Sequence, residues 1–137
     1  MSDRANILIV DDDVVLARAF SLALKGAGYQ PRPAHSAEEA LRELETSPPD
    51  AIILDFRMPM INGVGFLYRL RNQPRYEHIP VMVVTGETLL TDEVREELRV
   101  LGAEVRLKPI GIDDLVAWTS RLVEGRPAGA ASAQGPH

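Results

Sequence analysis

The sequence predicts an α/β domain in which a parallel, doubly wound sheet carries helices on both faces. Three observations predict it. Short apolar runs, mostly β-branched, recur at Ile7 to Val10, Ala51 to Leu54 and Val81 to Val84, each closed by a polar residue: Asp11, Asp55 and Thr85. Strands written as unbroken apolar runs are buried on both faces, as strands of a parallel sheet are. The segments between them carry helical rather than strand periodicity. The 137 residues, 45% hydrophobic and 26% charged, suffice for one packed core and little more.

The elements follow in order. Ile7 to Val10 is the first strand, and Leu16, Phe20, Ala23, Leu24 and Ala27 then repeat as one face of a helix that Gly28 stops. Tyr29 to Ala34 is a weaker strand. Ser36 with Glu39 three residues on has the pattern of a capping box, and Ala37, Ala40, Leu41 and Leu44 form the stripe of a second helix, ended by Pro48 and Pro49. After the third strand, a third helix from about Gly63 to Gln73 turns Val64, Leu67 and Leu70 inward. The fourth strand is Val81 to Val84. A fourth helix starts near Thr91 and buries Val94, Leu98 and Leu101 before Gly102; a fifth strand covers Glu104 to Leu107, and a fifth helix Ile112 to Val123. Five βα units with short connections and right-handed crossovers give the parallel sheet.

Composition narrows the function. Fifteen Lys+Arg against twenty Asp+Glu leave a net charge of -5, the wrong sign for a chain held to nucleic acid by phosphate contacts. The absence of cysteine removes disulfide scaffolds, thiolate metal sites and cysteine nucleophiles. The N-terminus has no signal-peptide run and no apolar block approaches a membrane span, so a cytoplasmic protein without membrane contact is expected. The stretch 125–137 contains three Gly, four Ala and two Pro with no apolar period, and is expected to be a flexible tail after a folded unit spanning 1–124. No output module such as a helix-turn-helix is expected after Leu122.

The chemistry gathers at the carboxyl ends of the strands, where open parallel sheets bind ligands. Asp11, Asp12 and Asp13 follow strand one, Asp55 strand three, Thr85 strand four and Lys108 strand five. Four acids in a small volume repel one another unless a cation neutralises them, and hard carboxylate oxygens without His or Cys suit Mg²⁺ rather than zinc. Thr85 and Lys108 add a hydroxyl and an ammonium, groups suited to phosphoryl oxygens. Singly, each has a plainer explanation: an Asp or Thr after a strand often only caps the next helix or turn. Together they point to phosphoryl transfer.

In these residues the chain resembles the receiver domain of two-component response regulators, which includes the chemotaxis regulators. The resemblance spans about Asn6 to Glu124 and rests on Ile7 to Asp13 (ILIVDDD), Ile53 to Pro59 (ILDFRMP) with Gly63, Val83 to Gly86 (VVTG), and Leu107 to Pro109 (LKP). It implies a flavodoxin-like (βα)5 fold with strand order 2-1-3-4-5. It also implies that Asp55 is the phosphoacceptor and that Mg²⁺ is held by Asp11, Asp12, Asp55 and the backbone carbonyl of Arg57. Asp13 would be a bystander or a helix cap. Thr85 would contact the phosphoryl group after transfer, and Lys108 would pair first with Asp55 and then with the phosphate. The donor would be a histidine kinase or a phosphotransfer protein, and the output a conformational change or binding to a downstream protein that the sequence does not name. A homodimer through the fourth or fifth helix is left open.

Two features bear on rate and output. Arg57, two after Asp55, and Glu87, two after Thr85, are expected to flank the site; paired, they would slow the approach of water or shape kinase docking, and unpaired they are solvated charges worth ~0 to 1 kcal/mol together. Many receivers carry a switching aromatic three residues before the Lys, where this chain has Val105. A stiff β-branched side chain cannot copy that swing. Ile110 stands where the family often has Phe, a change of packing. Trp118 is expected to be partly packed, and His35, His78 and His137 to be surface residues.

Two other functions fit the fold less well. A nucleotide-binding domain would need a Gly-rich phosphate loop of Walker or dinucleotide type, which is not present, and Asn62-Gly63-Val64-Gly65 follows no strand directly, so a Mg²⁺ phosphohydrolase or nucleotide-binding reading has less support. A receiver fold that is never phosphorylated would have no need of the intact Asp, Thr and Lys set. The expectation is therefore a signalling domain whose only chemistry is its own phosphorylation and dephosphorylation.

Overall fold

A computed structural model describes residues 4–55, 60–86 and 90–125, with side chains from 63 onward in the second of these stretches. The elements run β1 (Asn6–Val10), α1 (Val14–Gly26), β2 (Gln30–Ala34), α2 (Ala37–Thr46), β3 (Ala51–Asp55), α3 (Met60–Arg71), β4 (Val81–Thr85), α4 (Asp92–Val100), β5 (Ala103–Leu107) and α5 (Ile112–Glu124). All strand pairs are parallel, in the order β2-β1-β3-β4-β5. The expected doubly wound (βα)5 fold is the observed one. From residue 126 on, the proposed tail lies outside the described residues, as do Arg57, Pro59 and Glu87.

The period-two geometry of the strands divides the core into two layers. Leu8, Val10, Ile52, Leu54, Val81 and Val83 face Leu44 of α2, Phe66, Leu67 and Leu70 of α3, and Leu98 of α4. The alternate residues Ile7, Ile9, Ile53, Met82 and Val84 face Phe20 and Leu24 of α1 and Leu115 and Leu122 of α5. Both sheet faces are thus covered, which is why β1, β3 and β4 read as continuous apolar runs. The edge strand β2 reads differently, as Gln-Pro-Arg-Pro-Ala. Gln30 N–H donates to Ala5 O at 2.8 Å. By alternation Pro31 and Pro33 fall where the nitrogen faces away from β1, the place where an edge strand tolerates proline and where proline blocks pairing with another chain.

Local signals set the helix ends. Asp13 caps α1, its Oδ1 accepting from Val15 N–H and Leu16 N–H at 3.0 and 3.1 Å, and Gly28 takes φ +101° just past the end of the helix. Thr91 caps α4 through Val94 N–H at 3.1 Å. At α2, Ser36 Oγ accepts from Glu39 N–H at 3.0 Å, but Glu39 reaches back to His35 N–H at 2.9 Å, one residue earlier than a standard capping box. Helix α3 begins at Met60, three residues before the expected start, and no residue of capping type stands immediately ahead of it in the sequence to signal that start.

Arg71 locks the edge of the sheet opposite the strand carboxyl ends. Its Nε donates to Leu101 O at 2.8 Å, and its Nη1 to Glu77 O and Ile79 O at 3.0 and 2.7 Å, tying the end of α3 to the chain entering β4 and to the turn between α4 and β5. Three carbonyls on one half-buried guanidinium make it the main polar clamp there. Arg71→Leu is expected to cost about 2–4 kcal/mol, a fall in Tm of roughly 6–15 °C, with Lys recovering less than half because an ammonium cannot span the fork. Thermal melts check this; a Leu variant melting with the wild type would contradict it.

Candidate phosphoryl-transfer site

Register builds the site. Val10 of β1 pairs with Leu54 of β3, so the next residues, Asp11 and Asp55, stand side by side on adjacent strands and on the face shared with α1 and α5. Val84 pairs with Arg106, and Lys108, two residues on and just past the end of β5, has the same parity. The strand ends therefore aim two acids and an ammonium into one volume. Lys108 Nζ lies 2.9 Å from Asp55 Oδ1, an ion pair between a side chain 24% exposed and one 1% exposed. The Lys108 backbone is anchored by its N–H to Thr85 O at 2.9 Å, and its bond to Pro109 is cis.

Both carboxylates are buried. Asp11 is fully buried; its Oδ1 accepts from Asp13 N–H at 2.9 Å, while its Oδ2 and the Asp55 Oδ2 have no hydrogen-bond partner. Burial, and then the neighbouring Asp55, push the Asp11 carboxyl up from 3.8 to about 7, against the opposing pull of the Asp13 N–H and Lys108. Orphaned buried oxygens on two adjacent acids are what a bound divalent cation satisfies. Among the described residues no three Asp, Glu or His side chains form a complete cage. Mg²⁺ ordinarily takes one or two carboxylates and fills its remaining positions with water and other oxygens, so the residues present fit Mg²⁺ and not a structural zinc.

The remaining predicted residues fall around this centre. Asp12 is exposed at the rim, and Asp13 is occupied as the α1 cap. Thr85 is fully buried at the end of β4, its hydroxyl donating to Gly86 O at 3.3 Å. Val105 is half-buried against the α2–α4 layer of the core. Ile110 and Trp118 pack on the α1–α5 layer, and the Arg106 guanidinium lies 4.7 Å from the Trp118 ring, a cation–π contact that fixes the indole as structure. His78 is exposed, but His35 is not the surface residue expected. It is half-buried, with Nδ1 3.0 Å from Asp11 O. The sequence reading overlooks it; the one signal that could have found it is position, since His35 follows β2 directly and β2 lies beside β1.

Comparison with known proteins assigns the family. Residues 7–119 match the response regulator receiver domain, and the chain belongs to that family. It is 32% identical over 126 residues to the transcriptional regulatory protein PrrA of Mycobacterium leprae, covering 92% of this chain and 53% of PrrA. It is 30% identical to part of the sensor histidine kinase TmoS of Ectopseudomonas mendocina, covering 95% of this chain and 13% of TmoS. The chain thus spans about half the length of PrrA and a small part of TmoS. Among solved structures, the chemotaxis response regulator CheY4 of Vibrio cholerae superposes with a TM-score of 0.78 at 31% identity, over 87% of this chain and 98% of that one. Receiver domains are signalling domains that work between histidine kinases and downstream effectors. Among the described residues no helix is long and apolar enough to cross a membrane.

Proposed function

We propose that this receiver takes a phosphoryl group onto Asp55 from the phosphohistidine of a histidine kinase or phosphotransfer protein and passes the signal to a downstream protein. The observation that carries the reading is the buried Asp11–Asp55 pair with Lys108 at 2.9 Å. An ionised Asp55 oxygen attacks phosphorus, forming the O–P bond of an acyl phosphate as the P–N bond to imidazole breaks and its electron pair leaves with the ring. Lys108, already beside Asp55, offsets the charge on the transferring oxygens, and Thr85 at the neighbouring strand end offers its hydroxyl to the product phosphate. Mg²⁺ held by Asp11, Asp12, Asp55 and the Arg57 carbonyl would supply the remaining charge neutralisation. Stoichiometry tests the reading: the protein should accept one equivalent from acetyl phosphate and fail to turn over a phosphate monoester. Steady turnover would make it a phosphohydrolase instead.

The lifetime of the acyl phosphate depends on the approach of water, and Arg57 paired with Glu87 is proposed to hinder it. Arg57→Asn is then expected to hasten dephosphorylation roughly two- to fivefold, the range that an exposed pair worth about 0.5–1 kcal/mol allows. A phosphate-release assay with an unchanged rate would assign both residues to the solvated surface.

A further inference from the structure

We infer that His35 is a positioning residue for the acidic loop, and that through it β2 sets the affinity of the site for Mg²⁺. This rests on the receiver reading above, which places the metal on Asp11 and Asp12. The Asp11 carbonyl can only accept, so at 3.0 Å the imidazole must present its proton on Nδ1. That oxygen belongs to the peptide plane joining Asp11 to Asp12, and fixing it fixes the direction in which Asp12 leaves β1. The same peptide segment is held from the other side, since Asp11 N–H donates to Ala34 O at 2.9 Å. Residues 34 and 35 therefore grip Asp11 at both its nitrogen and its oxygen. The His35 backbone is itself held: its N–H donates to Glu39 Oε1 at 2.9 Å, and Glu39 N–H is taken by Ser36 Oγ at 3.0 Å, so the start of α2 fixes the main chain from which the imidazole projects.

Among the described residues no loop or turn N–H donates to the Asp11 carbonyl. Asp11 lies past the last ladder pair of β1, and its neighbouring segment turns at once into the α1 cap at Asp13. Without the imidazole the 11–12 peptide loses the bond on its oxygen and is held by its flanks alone, through Asp11 N–H on Ala34 O and Asp13 N–H on Asp11 Oδ1, so the geometry that lets both acids share one cation loosens. Groups that orient ligands without touching the metal commonly control its affinity.

The test is calorimetric titration of Mg²⁺ into the metal-free full chain, comparing wild type with His35→Leu, His35→Ala and His35→Asn. Asn places an amide nitrogen close to the position of Nδ1 and keeps the donor; Leu and Ala remove it. Leu and Ala are expected to bind Mg²⁺ roughly three- to tenfold more weakly, with the amide resonances of Asp12 and Asp13 displaced, while Asn stays within about twofold of wild type. Melting curves identify any variant that is not folded, and Ala and Leu serve as alternates for one another. Wild-type affinity in the non-donor variants, or an Asn variant as weak as Leu, would overturn the assignment while leaving the receiver reading intact. A wild-type protein that takes up no Mg²⁺ would overturn both.

Discussion

Lys108→Met is expected to slow phosphoryl uptake by Asp55 roughly a hundredfold, the usual cost of removing one preorganised charge from a transition state. The ammonium lies 2.9 Å from the attacking carboxylate in a site where Asp11 and Asp55 are both buried. In so dry a volume its charge is poorly screened, so the developing charge on the transferring oxygens depends on it. The same substitution should leave Mg²⁺ binding as tight as in the wild type or tighter, because Lys108 and the metal compete for Asp55. Opposite effects on binding and transfer separate this from unfolding. A variant that phosphorylates at the wild-type rate, followed by intact mass, would remove Lys108 from the chemistry.

The second large effect is on stability. In the metal-free protein, Asp11 titrates near 7 instead of 3.8. Between those values the folded chain keeps a proton that the unfolded chain has released, so every rise in pH favours the unfolded state. Below about 3.8 the group is protonated in both states and contributes no pH dependence; above about 7 the whole penalty of a buried charge beside Asp55 is present. The loss between about pH 4 and pH 7 is on the order of a few kcal/mol. Asp11→Asn should abolish this component, so the difference between wild type and variant isolates it from the other carboxylates. Saturating Mg²⁺ should reverse it, since the metal binds the carboxylate and competes with the proton, with an affinity that falls as pH drops below about 7. Urea unfolding at several pH values, with and without Mg²⁺, checks both halves. A wild type and an Asp11→Asn variant with parallel pH profiles would contradict the account.

Much of this was legible because the sheet is parallel and buried. Asp11, Asp55 and Thr85 each end an apolar run, and a strand that is apolar throughout leaves its first polar residue at the carboxyl edge, where the structure has them. Lys108 follows a run broken by Glu104 and Arg106, and β5 lies two strands from β3, so the length of the lysine side chain is what brings its ammonium to Asp55. β2 was faint because an edge strand need not be apolar and here carries two prolines. The early start of α3 was missed because Met60 and Ile61 follow the loop after Asp55 without any capping residue type. His35 escaped for a different reason. A lone histidine without metal-ligand spacing has no pattern, and only the pairing of β2 with β1, a tertiary fact, brings its ring to the Asp11 carbonyl.

Asp55 is expected to be phosphorylated in a site that needs a divalent cation. Intact mass of the protein after incubation with Mg²⁺ and acetyl phosphate or phosphoramidate, beside the Asp55→Ala variant and a sample with EDTA, tests it most directly. A gain of one phosphoryl group is expected in the wild type and none in the variant or with EDTA. An equal gain in the Asp55→Ala variant, or no gain in a wild type shown to bind Mg²⁺, would contradict it.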